Sequence, residues 1–170
     1  MDNDFDIYCP ACGTRMTKIF MKTTGFCVDI CLDGCGGLYF DNREFSKVDE
    51  KHENIDEIIE VIKGRTFKPV NTAEKRKCPC CAVNMVKNFS SINKVIEIDE
   101  CYSCGGKFLD YSELEKIRAE YDNDEQRVVA MLNEVDRLIG KDLNALKEEV
   151  KQLKVNRSPL KKLFDSYFGM

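Results

Sequence analysis

The sequence contains no apolar run longer than a few residues, far short of the roughly 20 that a membrane-spanning helix needs. It has no surplus of positive charge either: 26 Lys and Arg stand against 30 Asp and Glu, a formal charge of −4. A general attraction to nucleic acid is thereby excluded, and any such contact needs a local basic patch. The start, Met1-Asp2-Asn3-Asp4-Phe5-Asp6, has neither the basic nor the apolar region of a secretory signal, so a cytoplasmic location is expected. Histidine occurs once, at His52, and is read as a solvent-facing helix residue without a repeat partner.

What the 170 residues do contain is ten cysteines. In a reducing compartment, cysteine at that density reads as metal ligands before disulfides. An internal repeat selects which of them matter. Cys9-Pro10-Ala11-Cys12 falls on Cys78-Pro79-Cys80-Cys81 at an offset of 69, and Cys35-Gly36-Gly37 falls on Cys104-Gly105-Gly106 at the same offset. Asp41 and Glu44 likewise fall on Asp110 and Glu113, while Asp29 and Cys31 match Asp99 and Cys101 at 70. Cys27 would fall on Glu97 and Cys80 on Ala11, so neither has a cysteine counterpart. Two sets remain as candidate metal ligands: Cys9, Cys12, Cys31 and Cys35, then Cys78, Cys81, Cys101 and Cys104.

Two C-x-x-C-like pairs about twenty residues apart suit zinc, which takes four ligands at tetrahedral corners with Zn–S near 2.3 Å. Glycine after the second cysteine of a pair permits a positive φ and turns amide N–H groups toward sulfur. Gly13, Gly36 and Gly105 occupy that place; Ala82 does not, so that turn is expected to be strained or differently wound. Between the pairs, Met16 to Thr23 and Phe26 to Ile30 read as strands turning at Thr24-Gly25, and Met85 to Ser91 and Val95 to Glu100 as strands turning near Asn93-Lys94. A third short strand follows each second pair, Leu38-Tyr39-Phe40 and Lys107-Phe108-Leu109. Units of about 40 residues bury too little apolar surface to fold alone, so each needs its metal. Two zinc ions, one per unit, are the expected cofactors, and loss of one ligand is expected to unfold its own unit while sparing the other. With eight thiolates and two ions the net charge becomes about −8.

Two points stay open in the cysteine pattern. Cys31-Leu32-Asp33-Gly34-Cys35 has three residues between its cysteines, which Gly34 could allow to loop out; Cys27 replacing Cys31 as ligand is the alternative. Cys80 is read as a non-ligand pointing away from the metal, or as a reactive thiol beside it.

The pattern Cys-Pro-x-Cys, hairpin, Asp before the second pair, then Cys-Gly-Gly-x-aromatic-x-Asp-x-x-Glu resembles the transcription factor IIB-type zinc-finger (zinc-ribbon) family, in two tandem copies over about Tyr8 to Phe45 and Cys78 to Leu114. The resemblance implies the eight ligands named above and an α+β, metal-stabilised fold of two zinc ribbons, three short antiparallel strands each, followed by helices. Where the family commonly has Trp, this chain has Tyr39 and Phe108. The family's general factor docks on RNA polymerase, so transcription machinery is the partner class the resemblance points to.

Asp41-x-x-Glu44 and Asp110-x-x-Glu113 have capping-box spacing at the start of a helix after each ribbon, a reading preferred to catalytic carboxylates. Ile55, Ile58, Ile59 and Ile62 recur at helical spacing up to Gly64, for packing on a ribbon or on C-terminal helices. Residues 65–77 read as a linker; its Lys75-Arg76-Lys77, with Lys87 and Lys94 nearby, is the best nucleic-acid candidate, against the preferred reading that it offsets the anionic zinc centres. Val128, Leu132, Val135, Ile139, Leu143, Leu146, Val150 and Leu153 predict a helical hairpin or one kinked coiled-coil helix over 125–154, a homodimer contact or a face for the earlier helix. After Ser158-Pro159, Leu160, Leu163, Phe164, Tyr167 and Phe168 form an apolar face that either clamps the protein's own surface or docks a partner.

The expected organisation is therefore ribbon 1 over 1–45, helix and linker over 46–77, ribbon 2 over 78–116, a helical segment over 117–156 and a short amphipathic helix over 157–170. The functional expectation is a non-enzymatic adapter that binds a protein partner, because self-filled sites leave no coordination position for water. The alternatives are a redox-responsive or rubredoxin-like iron protein and a nucleic-acid-binding module.

Overall fold

In the computed structural model, which describes residues 6–139, the alternating apolar stretches become six strands: β1 (Thr17–Met21), β2 (Phe26–Ile30), β3 (Leu38–Phe40), β4 (Val86–Phe89), β5 (Glu97–Glu100) and β6 (Lys107–Leu109). The first hairpin closes through Gly25 at φ 72° and the second through Lys94 at φ 56°, the two turn positions expected from sequence. Three helices follow the pattern of the apolar residues, α1 (Asp56–Ile62), α2 (Glu113–Ala119) and α3 (Asp124–Ile139). The chain divides into two units, Met1–Arg127 and Val128–Met170. Within the second, the described part is the continuation of α3 to Ile139; the coiled-coil positions beyond it and the apolar face at 160–168 lie outside the described residues.

The two ribbons are not separate bodies. All six strands form one sheet in the order β1-β2-β3-β6-β5-β4, in which β3 pairs antiparallel with β6. Tyr39 stands opposite Phe108 and Leu38 opposite Leu109. Since successive side chains leave a strand on opposite faces, one face of this sheet carries Val28, Ile30, Leu38, Phe40, Ile98 and Leu109, and the other carries Tyr39, Phe108, Asp29 and Asp99. The first face meets Ile58 of α1 and Leu114 and Ile117 of α2 in one apolar cluster. Helix α1 thus packs on the ribbons, and Gly64 at φ 73° ends it. The second face joins Tyr39 and Phe108 to Cys9, Cys31, Cys35, Cys78 and Cys101 in another cluster.

Along that second face a six-strand row reads Lys18, Asp29, Tyr39, Phe108, Asp99, Lys87. It is nearly palindromic about the β3–β6 seam, the register that the internal repeat would produce if its copies met through a pseudo-twofold axis.

The capping-box reading needs correction. Glu44 and Glu113 do reach back to the N–H groups of Asp41 and Asp110, at 2.8 and 2.7 Å. The aspartates, however, do not cap: Asp110 turns to Arg76, and the intervening Arg43 and Ser112 both take φ 70°. After Glu44 comes only a 3-10 turn, Phe45–Lys47, rather than a helix. His52 faces solvent as expected but lies on the loop before α1. That loop is tied down by Arg118, which donates to the carbonyls of Val48 at 2.6 Å and Glu53 at 2.8 Å, and by Arg127, paired with Asp49 and Glu50 at 2.7 Å each.

Candidate metal centres

The eight repeat-selected thiols gather into two groups, Cys9, Cys12, Cys31 and Cys35 in one and Cys78, Cys81, Cys101 and Cys104 in the other, with all four sulfurs of a group within 4.8 Å of one another. Closest approaches are 3.4 Å for Cys9–Cys35 and Cys12–Cys31, and 3.5 and 3.4 Å for the matching Cys78–Cys104 and Cys81–Cys101. A tetrahedron with 2.3 Å arms has edges of about 3.8 Å, so each group fits around one ion of zinc's size. All ten cysteines are unbridged. Cys31 is in its group and Cys27 is not.

Local turns build each group. Gly13 donates its N–H to the Cys9 carbonyl at 2.8 Å and Ala82 does the same to Cys78 at 2.9 Å. Ala82 therefore winds as Gly13 does, at φ 57° against 73°, and carries the left-handed strain that a Cβ adds. Gly34 departs from its expected role. A Cβ on it would lie 2.7 Å from the Cys31 sulfur and 2.8 Å from that of Cys12, so the extra residue of this pair is accommodated by absence of a side chain against the sulfurs.

Amide N–H groups of Ala11 and Cys12 point at the Cys9 sulfur, and those of Cys80 and Cys81 at Cys78. Gly37 and Gly106 serve Cys35 and Cys104 in the same way. Such donors favour thiolate, but four close sulfurs with no cation between them cannot all ionise. Cys35 is pushed up to about 12, chiefly by its hydrogen-bonded neighbour Cys31, and Cys104 to about 12, chiefly by burial. A divalent cation at each centre resolves that conflict by stabilising every thiolate at once.

Around the second centre, Arg76 is 2 % exposed, donates to Asp99 at 2.8 Å and to Asp110 at 2.9 Å, and lies 4.9 Å over the Phe108 ring. In the basic triplet the middle member is thus an internal ion-pair residue, unavailable to phosphate, while Lys75 and Lys77 are exposed. Lys87 is 3.4 Å from Asp99. Ile7 stands where the repeat would place Arg76, so Asp29 lacks such a partner and burial lifts it to about 6. Cys80 lies outside its group, exposed, with its sulfur 3.9 Å from an Asp41 carboxylate oxygen.

Sequence reasoning missed two glycines. A Cβ on Gly37 would collide with the tip of the Phe108 ring, and one on Gly106 with the Tyr39 hydroxyl. The repeated Cys-Gly-Gly was the available signal; its second glycine is explained by the ring arriving from the other ribbon.

A shared sheet with two all-cysteine centres defines a tandem zinc-ribbon protein. The family model described as transcription factor zinc-finger, of the transcription factor IIB type, matches residues 8–51 and 77–120, just over half of the chain. The chain belongs to that family, with two tandem copies, and each four-cysteine cluster is compatible with one zinc ion. Comparison with curated proteins and with solved structures gives no match. No helix among the described residues is long and apolar enough to cross a membrane.

Proposed function

We propose that this chain is a non-enzymatic adapter in which two structural zinc ions, ligated by the eight cysteines, brace a rigid sheet that presents binding segments to a protein partner. The observation that carries the reading is the composition of the two centres: four sulfurs each, with no histidine or carboxylate among them. Catalytic zinc needs an open position for water or substrate, and four thiolates fill a tetrahedron. Zinc's contribution is to hold the thiolates and the turns that carry them; the protein's residues supply the amide donors, the buried packing and the ion pairs around it.

Transcription machinery is the partner class that the family suggests, in the cytoplasm. The proposed partner-binding face is Leu160, Leu163, Phe164, Tyr167 and Phe168 in the short C-terminal segment 157–170. The 125–154 helical region is the proposed homodimer contact; exposed Val128 and Leu132 on α3 support it. The division of the rest into ribbons at 1–45 and 78–116 with connecting helix and linker remains part of this proposal.

Metal analysis and an absorption spectrum test the centre. Two zinc per chain in a colourless protein is the expected result, and visible iron–thiolate bands would favour the rubredoxin-like alternative. Affinity purification with and without residues 158–170 tests the adapter role. A partner retained equally by both chains would remove the C-terminal segment from it. Retention of DNA or RNA that falls on replacing Lys75 and Lys77 by Ala would instead support the nucleic-acid module.

A further inference from the structure

The aromatic that each ribbon places on the cysteine-bearing face of the sheet reaches the other ribbon's Cys-Gly-Gly turn. Tyr39, on β3 of the first ribbon, is 1 % exposed, and its hydroxyl oxygen lies 3.5 Å from the Cys78 sulfur and 3.7 Å from the Cys104 sulfur, both in the second centre. Phe108, its register partner on β6, leans the opposite way, over Gly37 beside Cys35, and has no hydroxyl. The approach is built into the backbone, since only a glycine at 106 leaves room for the Tyr39 hydroxyl.

When the second centre holds a divalent cation its sulfurs are thiolates without protons, so in each of these contacts only the phenol can donate. A hydrogen bond donated to a metal-bound thiolate draws charge from sulfur and weakens it as a nucleophile. At the first centre, among the described residues, the side-chain hydroxyl that meets a sulfur is that of Thr14, 3.4 Å from Cys12 at an exposed position where water can do the same service. Val83 stands at the matching place in the second ribbon.

We propose that Tyr39 is the buried outer donor to the other ribbon's zinc thiolates, making the second centre the less reactive of the two and linking its metal retention to the first ribbon's fold. Tyr39 is thus a positioning and tuning residue acting through Cys78 and Cys104. The assignment rests on the reading that the eight cysteines hold zinc, and the test separates the two.

Full-length parent and Tyr39→Phe proteins, each first assayed for zinc content, are exposed to excess N-ethylmaleimide. Zinc release is followed with a chromophoric chelator, and alkylation of Cys35 and Cys104 is mapped over time by peptide mass spectrometry. Tyr39→Phe is expected to retain two zinc and the folded core, with a melting temperature lowered only by the lost hydrogen bond, because Phe already occupies the matching position at 108. Alkylation of Cys104, with one phase of zinc release, is expected to accelerate by about tenfold, the size of one charge-assisted hydrogen bond, while Cys35 keeps its parent rate. A Tyr39→Leu control, lacking ring and hydroxyl, is expected to accelerate both centres by loosening the shared core. Two zinc with an unchanged Cys104 rate, or equal acceleration at Cys35 and Cys104 in Tyr39→Phe, would overturn the tuning role alone. A parent chain that binds no zinc would overturn the metal reading, and this assignment with it.

Discussion

At the scale of single residues, the repeat is informative mostly where its copies differ. Ala82 holds the left-handed conformation that Gly13 holds in the first ribbon. That conformation costs an L-residue roughly 1–2 kcal/mol, while glycine loses about 0.5–1 kcal/mol of chain entropy on folding. Ala82→Gly is therefore expected to stabilise the zinc-loaded protein by about 0.5–1 kcal/mol in denaturant titration, and a loss of stability would contradict the strain. The Arg76/Ile7 difference is larger in consequence. Arg76→Ala would leave buried Asp110 without its cation and Asp99 with Lys87 alone, at a cost of about 3–5 kcal/mol. In the first ribbon Asp29 already lacks an arginine. Its folded pKa of about 6 is above the ordinary carboxylate value because of burial. The folded state therefore binds more protons than the unfolded state between about pH 4 and 6, and stability falls as pH rises through that window. Asp29→Asn removes the effect: its Tm should exceed the parent's at pH 7.5, with a smaller advantage at pH 5. An advantage independent of pH would assign the gain to something other than this charge.

At the scale of elements, hairpins, turns and α1 were legible because their signals are local. Alternating apolar residues, Gly25 at a turn and Ile58 on an amphipathic helix each act over a few residues, and the structure places them in β1–β2, the connecting loop and α1. The Asp-x-x-Glu spacing misled for an equally physical reason. The Glu fulfils its half of the box, but Arg43 and Ser112 at positive φ redirect the chain. The aspartate is then free to bond across the fold, as Asp110 does with Arg76. The second glycine of each Cys-Gly-Gly had no local explanation at all. Gly37→Ala and Gly106→Ala are each expected to displace the ring from the opposite ribbon and cost about 1–3 kcal/mol. In each case amide exchange should rise on both β3 and β6, and a disturbance confined to the mutated ribbon would refute the crossed packing.

For the whole molecule, the pairing of β3 with β6 changes what loss of a metal means. Two independent ribbons would fail one at a time, as the lengths of the repeats suggest. One six-stranded sheet with a common core on each face instead joins their stability. Cys78→Ser is expected to reduce bound zinc to one per chain and also to raise amide exchange in β3, although β3 belongs to the first ribbon. Protection in β3 equal to that of the parent would return the molecule to two separate units.

Seven of the eight candidate ligands and the hairpins that carry them were determined by sequence alone, since a four-cysteine site of this kind is assembled from short turns whose residue spacing is set by bond lengths; between Cys31 and Cys27 the sequence left a choice, and the structure groups Cys31 with the others. Tertiary structure alone decided that Tyr39 meets Phe108, that Arg76 is internal, and that each ribbon's ring packs on the second glycine of the other's Cys-Gly-Gly turn. Those contacts join residues from 23 to 71 positions apart. Such distances carry no periodicity to read, and the antiparallel register of one three-residue strand pair fixes those that cross between the ribbons.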